Sequence, residues 1–363
     1  MRQILFEIPG TGIQVFGFGM MLFLAFLAAM NLAAWRARRS RIDPEIIYDL
    51  AFWLILGGLI GARAFYVLQH GESIESFWDI FKVWKGGIVL YGSGLGAAAG
   101  YLSYWLWRRF PIRPVMDAIA PAIALGIALG RVGCFLNGCC YGDVCEHKWA
   151  VQFPAGTLPW AQHVGLLEEY IELDREREQV ESGREPWPAE RRERHEALAE
   201  QLGLNGDPED SVVALEQYIR SLDYQEFRRL RYDRVRDGLP PPDAPPNSPR
   251  SLPVHPTQLY SALDGLILMT LLLAYYPLRR RDGEVMALLI LTYPVTRFLI
   301  ERLRNDEEAF YAGLTISQNI SIGLFVIALA FWLYLCRWPT ERYEDRPEDS
   351  ETTLVSRQPA IEG

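Results

Sequence analysis

The chain has 363 residues, half of them apolar, five cysteines and a net charge of −9, yet its mean hydropathy is only +0.02. The acidic balance argues against a nucleic-acid partner, since a phosphate backbone is held through Lys and Arg. The near-zero mean averages two populations: apolar runs of the length that crosses a bilayer, about 20 residues as a helix, and charged segments that require water.

Seven apolar runs follow in chain order, at about Ile13–Trp35, Ile46–Leu68, Gly87–Trp107, Val115–Phe135, Gln258–Tyr276, Val285–Leu303 and Ile316–Leu335. In hydrocarbon every backbone polar group must be satisfied inside the segment, so each run predicts a helix. The first lacks the short basic start and the cleavage site of a removable signal peptide. The predicted fold class is all-α, a polytopic membrane helical bundle of about seven transmembrane helices with a soluble helical insertion. Its predicted domains are 1–155 (helices one to four), 156–250 (an extracytoplasmic helical insertion), 251–338 (helices five to seven) and 339–363 (a disordered cytoplasmic tail).

Arginines set the predicted orientation. Arg36, Arg38, Arg39 and Arg41 follow the first run, Arg108, Arg109 and Arg113 the third, Arg279, Arg280 and Arg281 the fifth, and Arg337 and Arg342 the last. Seven spans place all four groups on one side, which the positive-inside rule makes cytoplasmic. The N-terminus is then outside, and connections 69–86, 136–257 and 304–315 face outward. Trp84 and Trp107 bracket the third run as interfacial anchors.

The connection between the fourth and fifth runs is far longer than a connector needs. Residues 164–236 read as helical: Pro188 opens one helix, and Asp207-Pro208 opens another with Asp at the N-cap and Pro at N1. Val212, Leu215, Tyr218, Ile219 and Leu222 line one face of the latter. Leu239–Pro246 reads as an extended linker. The tail from Thr340 is too polar to bury a core.

Ionisable groups inside apolar runs mark sites. Arg131 lies near the end of the fourth run, in Gly130-Arg131-Val132-Gly133-Cys134-Phe135-Leu136-Asn137-Gly138-Cys139-Cys140-Tyr141-Gly142. Arg63 interrupts the second run. Arg297 and Glu301 lie four apart, on one face of the sixth. Arg302 and Arg304 follow nearer the outer interface, where solvent can reach them. Each admits a structural alternative: a snorkelling cation for Arg131, a packing-only ion pair for Arg297 and Glu301.

The 130–142 segment resembles the signature of the prolipoprotein diacylglyceryl transferase family, whose usual form is Gly-Arg-x-Gly-Asn-Phe-x-Asn-x-Glu-x-x-Gly. Three more pieces agree in order. Trp84–Gly92 resembles a Gly-Gly-x-x-(Phe/Tyr)-His-Gly motif, His255-Pro256-Thr257-Gln258-Leu259-Tyr260 a His-Pro-(Ser/Thr)-Gln-Leu-Tyr motif, and Arg297–Glu301 an Arg-x-x-x-Glu pair. The resemblance covers residues 10–155 and 250–336, not the insertion or tail. Departures are Cys134 for the usual Asn, Cys139 for Glu, Tyr91 for His, and Phe16-Gly17 for Tyr-Gly in the first span.

The resemblance implies transfer of a diacylglyceryl group from phosphatidylglycerol to the lipobox cysteine of a prolipoprotein signal peptide, in a bacterial inner membrane. The thiolate is the nucleophile, so the reaction needs a cation for the phosphate and an acceptor for the thiol proton. Arg131 is the expected phosphate clamp, because guanidinium binds phosphate bidentately and stays charged. Arg297, held by Glu301, is a second cation. The catalytic set expected is Arg131, Arg297, Glu301, His255 and Tyr91; Arg131, Asn137, Gly142, Arg63, Gly92 and Tyr260 are expected to bind substrate. The proton acceptor stays open among His255, with a suitable pKa, the phosphate's own oxygen, and Tyr91, a weak base.

Four cysteines fall in Cys134-x4-Cys139-Cys140-x4-Cys145. Structural disulfides or packing are the favoured reading. Zinc is the lesser one, since the spacing matches no standard finger. No cofactor or metal is expected. The partners expected are the bilayer, phosphatidylglycerol and prolipoproteins, with no nucleic acid. Two rivals are a non-catalytic paralogue that binds lipid or lipoprotein, and a cysteine-based redox or metal-binding membrane protein. A transporter is disfavoured, because two related halves with interrupted spans are not seen.

Overall fold

The structure, a computed structural model, describes residues 4–7, 9, 14–69, 89–145, 147–154, 157–182, 187–202, 250–304, 311–337, 340 and 342–345. The described chain is mostly helical. Strands β1 (Ile4–Glu7) and β2 (Gln14–Phe16) form an antiparallel pair. Then follow α1 (Gly17–Arg39), α2 (Pro44–Gln69), α3 (Leu90–Arg108), α4 (Ile112–Asn137), α5 (Leu158–Ser182), α6 (Ala189–Gln201), α7 (Thr257–Tyr275), α8 (Glu284–Glu301) and α9 (Ile316–Cys336).

All seven apolar runs are helical, with ends shifted by a few residues. At the start, Gln14, Val15 and Phe16 pair with β1, so α1 begins at Gly17 instead of Ile13. Phe16 therefore ends a strand and stands outside the first span. Among the described residues, five helices are long and apolar enough to cross a membrane: α1, α2, α4, α7 with its 3-10 extension to Leu278, and α9. The chain is thus a multi-pass membrane protein. Helices α3 and α8, with 19 and 18 residues, occupy the third and sixth runs.

Local chemistry fixes the helix ends. Asp43 accepts the Glu45 N–H at 2.9 Å ahead of Pro44, pairing an N-cap side chain with Pro at the first helical position. Arg109, left-handed at φ 51°, closes α3 and donates its N–H to the Trp105 carbonyl. Thr315 and Gln318 exchange backbone and side-chain bonds at the start of α9, a capping box. Pro121 and Pro294 lie inside α4 and α8, as membrane helices tolerate.

The chain divides into two compact units. One comprises Ala25–Gly126, Gly265–Pro294 and Gly323–Gly363. Its apolar core includes Ala33, Ala37, Leu50, Tyr104, Phe110 and Val115, with a second cluster of Ala124, Leu268, Leu272, Val285 and Leu289. Asp117 of α4, fully buried, accepts the N–H groups of Gly283, Val285 and Met286 at 2.8–3.0 Å and so caps α8. Arg279 lies buried over the Tyr276 ring, with Asp117 at 3.5 Å and Glu344 at 3.3 Å. The Tyr343 N–H donates to Asp282, so the tail begins with an attached 3-10 turn at Tyr343–Asp345; residues 346–363 lie outside the described residues.

The other unit comprises Met1–Leu24, Ile127–Asp264 and Val295–Ile322. It holds the insertion, of which α5 and α6 are described. Helix α5 starts at Leu158, earlier than the 164 read from sequence, and α6 starts after Pro188 as read. Arg191 and Arg194 of α6 pair with Glu176 and Glu169 of α5. Such exposed pairs contribute little, about 0–1 kcal/mol each. Trp160, Leu167, Ile171, Leu202 and Leu252 make the apolar contact. The predicted helix after Asp207 and the linker 239–246 lie outside the described residues.

Candidate functional site

The signature segment is the last turn of α4 followed by a tight loop. Arg131, half-buried, lies in α4, as does Asn137, its final residue. After Asn137 the chain reverses. The Gly138 and Cys139 N–H groups return to the Cys134 carbonyl at 2.9 and 3.1 Å, Gly138 sits at φ 75° and Cys140 at φ 60°. A non-glycine residue there costs on the order of 1–2 kcal/mol, so the surroundings must hold it.

They do so through the second motif. Thr257 and Gln258, almost fully buried at the start of α7, donate to the Cys140 and Cys139 carbonyls, each at 2.8 Å. Backbone bonds add to the clasp: Gly142 N–H to the His255 carbonyl, His255 N–H to that of Asp143, and Cys145 N–H to that of Pro253, at 2.9–3.0 Å. Two motifs more than a hundred residues apart are thus one piece of structure. Gly142 is required by it, because a Cβ would lie 2.5 Å from the Leu303 carbonyl oxygen and 2.7 Å from His255 Cβ.

The third piece joins from α8. Arg297 pairs with Glu301 and donates to Ser317 Oγ at 3.2 Å. Glu301, 2 % exposed, also meets Thr315 at 3.5 Å and Arg304 at 3.8 Å. Arg304 corrects the sequence reading. Its side chain is only 7 % exposed, and the Asp143 N–H bonds the neighbouring Leu303 carbonyl at 2.9 Å, which draws this stretch inward. Its i,i+3 spacing from Glu301 was the available signal. Arg302 instead lies over the Phe298 ring.

Cysteines fill the space between. The Sγ atoms of Cys134, Cys139 and Cys140, all half-buried, lie within 4.8 Å of one another. The two thiol neighbours, followed by the charges of Arg304 and Arg131, pull Cys140 below the ordinary thiol value against the opposing effect of burial. Cys139, beside the thiols of Cys134 and Cys140, is pushed up. All five cysteines are unbridged, and Cys145 and Cys336 stand outside the triangle.

His255 Nδ1 and the Tyr260 hydroxyl are 3.3 Å apart, and Trp149 Nε1 donates to that hydroxyl at 2.8 Å. The His147 ring is 5.4 Å from that of His255. Burial, then the charge of His147, hold His255 below the ordinary imidazole value. Sequence reading passed over His147, Trp149, Thr257 and Gln258, although the last two stood inside a motif it had quoted.

The remaining predicted residues belong to the other unit. Arg63 lies over the Tyr66 ring at 5.1 Å. Gly92 packs α3 against α2: a Cβ there would meet Phe65 Cβ at 2.4 Å and the Gly61 carbonyl oxygen at 2.5 Å. That close approach accounts for the glycine by helix packing. Tyr91 lies in the first turn of α3, with its side chain outside the described residues, as are Trp84–Ile88.

Fold and site together define a multi-pass membrane protein with a half-buried group of guanidinium, carboxylate and thiol side chains built by three separated motifs. A family model described as prolipoprotein diacylglyceryl transferase matches residues 3–334. The chain is 34 % identical to a phosphatidylglycerol–prolipoprotein diacylglyceryl transferase of Rhodopirellula baltica, over 95 % of this chain and 77 % of that one. It is 23 % identical to one of Clostridium tetani, over 91 % of this chain and 96 % of the relative, and 26 % identical to one of Bdellovibrio bacteriovorus, over 86 % of each. The chain belongs to the prolipoprotein diacylglyceryl transferase family.

Proposed function

We propose that this transferase moves the diacylglyceryl group of phosphatidylglycerol onto the lipobox cysteine of a prolipoprotein signal peptide. The cysteine sulfur attacks the glyceryl carbon and a C–S bond forms. The C–O bond to phosphate breaks, and glycerol phosphate leaves with the electron pair. Arg131 holds the phosphate, while Arg297 and Arg304, positioned by Glu301, supply further positive charge near where the leaving group develops its own. A preorganised cation in a low-dielectric site acts most strongly on a transition state that gains charge. His255, whose pKa burial and then the charge of His147 lower, takes the thiol proton. Tyr260 orients the imidazole, and Asn137 and Gly142 shape the loop beside the headgroup. Tyr91 and Gly92 are assigned to headgroup binding on the resemblance alone, and Arg63 as a cation inside an apolar run.

The observation that carries this reading is the clasp: Thr257 and Gln258 hold the Cys139–Cys140 backbone, so the loop after the Arg131 helix is tied to the start of α7 beside His255.

We further propose seven spans, α3 and α8 among them, in a bacterial inner membrane with the N-terminus outside and the C-terminus cytoplasmic. The arginines grouped after the first, third, fifth and seventh runs support that sidedness. Connection 70–88 lies outside the described residues.

The test is incubation of the purified chain with phosphatidylglycerol and a lipobox peptide, read by mass spectrometry. The expected product is a diacylglyceryl thioether on the peptide cysteine. Recovery of unmodified peptide from correctly folded protein overturns the reading.

A further inference from the structure

We propose that Cys134, Cys139 and Cys140 hold one zinc ion whose fourth position receives the acceptor cysteine thiol. The metal site stands on the cysteine geometry; its role toward the acceptor rests on the transferase reading above.

Three observations carry it. First, the three Sγ atoms lie mutually within 4.8 Å. Zinc–sulfur bonds of about 2.3 Å in a tetrahedron separate sulfurs by roughly 3.8 Å, so small side-chain rotations close the triangle on an ion. Thiolate donors of this kind select soft ions such as zinc.

Second, the loop that carries the thiols is held by hydrogen bonds from elsewhere in the chain. Adjacent cysteines ordinarily point apart, but the left-handed backbone at Cys140, φ 60°, turns its thiol toward the other two. Buried Thr257 and Gln258 fix that loop through the Cys140 and Cys139 carbonyls. Strained backbone held in place by its surroundings clusters at ligand clamps.

Third, among the described residues the group has three candidate ligands. Cys145 lies outside the triangle. Three protein ligands with a fourth position open is the arrangement of catalytic zinc, whereas structural zinc is closed by four. Three thiolates on Zn²⁺ leave one net negative charge.

The consequence concerns the nucleophile. A thiol that coordinates zinc is deprotonated outright. The acceptor cysteine binds the open position and its proton passes to His255. The zinc-bound sulfur then attacks the glyceryl carbon while the C–O bond to phosphate breaks. Zinc remains divalent throughout, and the thioether product, a weaker ligand than thiolate, leaves. Thiolate generation would thus fall to a metal held by three cysteines, two of which, Cys134 and Cys139, stand where the family's usual signature has Asn and Glu.

The experiment uses the full chain purified in detergent under reducing conditions. Metal analysis is expected to find one zinc per chain. Cys134→Ser, Cys139→Ser and Cys140→Ser should each weaken zinc binding at least about tenfold, while Cys145→Ser and Arg131→Ala retain it. Cobalt exchanged into the site should show thiolate charge-transfer and tetrahedral ligand-field bands that shift on adding a lipobox peptide and not its Cys→Ala counterpart. No stoichiometric zinc, or binding indifferent to the three serine variants, overturns the site. A cobalt spectrum blind to the thiol peptide, or full transfer by zinc-stripped enzyme, overturns its role. Zinc bound as expected with no thioether product would instead count against the transferase reading and leave the metal site standing.

Discussion

Gly142 tolerates no side chain, because the Leu303 carbonyl and His255 occupy the space a Cβ would take. Gly142→Ala is expected to destabilise the protein by about 1–3 kcal/mol, seen as a lower melting temperature in detergent; an unchanged melt would mean the clasp yields freely. For Arg131, Arg131→Ala should lower kcat on the order of 10²–10³-fold, about 3–4 kcal/mol. Arg131→Lys should recover only part, having charge without the planar fork. Equal rates for wild type and the alanine variant would remove Arg131 from the chemistry. His255 gives a pH prediction. A base must be unprotonated, and a lowered pKa keeps it so further into acid. The acid limb of kcat/KM should therefore lie below about 6.5, and His147→Ala, removing one cause of the lowering, should move that limb upward. A limb that stays in place would exclude His255 as the acceptor.

At the scale of elements, the start of α8 is made by a residue of α4. Asp117 supplies acceptors to three N–H groups that a helix start leaves unsatisfied. Asp117→Ala should cost roughly 2–4 kcal/mol, measured by chemical unfolding in detergent micelles; Asp117→Asn, which keeps one acceptor, should cost less. A loss under about 0.5 kcal/mol would mean water takes over the cap. In α5, burial lowers the His163 pKa to about 4. Above about 6.5 His163 is neutral whether the chain is folded or not, so it contributes no pH dependence there. Below that the unfolded chain gains a proton the folded one refuses, and stability falls until about pH 4. The expected loss is on the order of 3 kcal/mol, and His163→Leu should flatten it in a pH series of thermal melts.

Across the whole molecule, the proposed topology separates the arginine-bearing connections from the insertion. Cysteine reporters placed at Arg38 and at Arg113 in a cysteine-free background should resist a membrane-impermeant maleimide in intact cells, while one at Trp187 should react. Reaction at Arg38 would reverse the orientation. Much of this architecture was legible in the chain itself. Each apolar run became a helix, because in hydrocarbon the backbone has no other partner. The ends moved where a local partner intervened, as β1 did for residues 14–16.

The sequence by itself determined the helices, the family and the polar residues inside apolar runs, since these follow from composition and from motifs written in consecutive positions. Arg131, His255 and the Arg297–Glu301 pair were visible in that way. Only the tertiary structure decided what those motifs do to one another. Thr257 and Gln258 reach back more than a hundred residues to hold the cysteine loop, Arg304 turns inward to Glu301, and three thiols converge at the end of α4. The physical reason is that hydropathy and short-range propensity act along the chain, whereas a buried hydrogen bond or a cluster of ligands depends on which distant backbone group the fold brings within 3 Å.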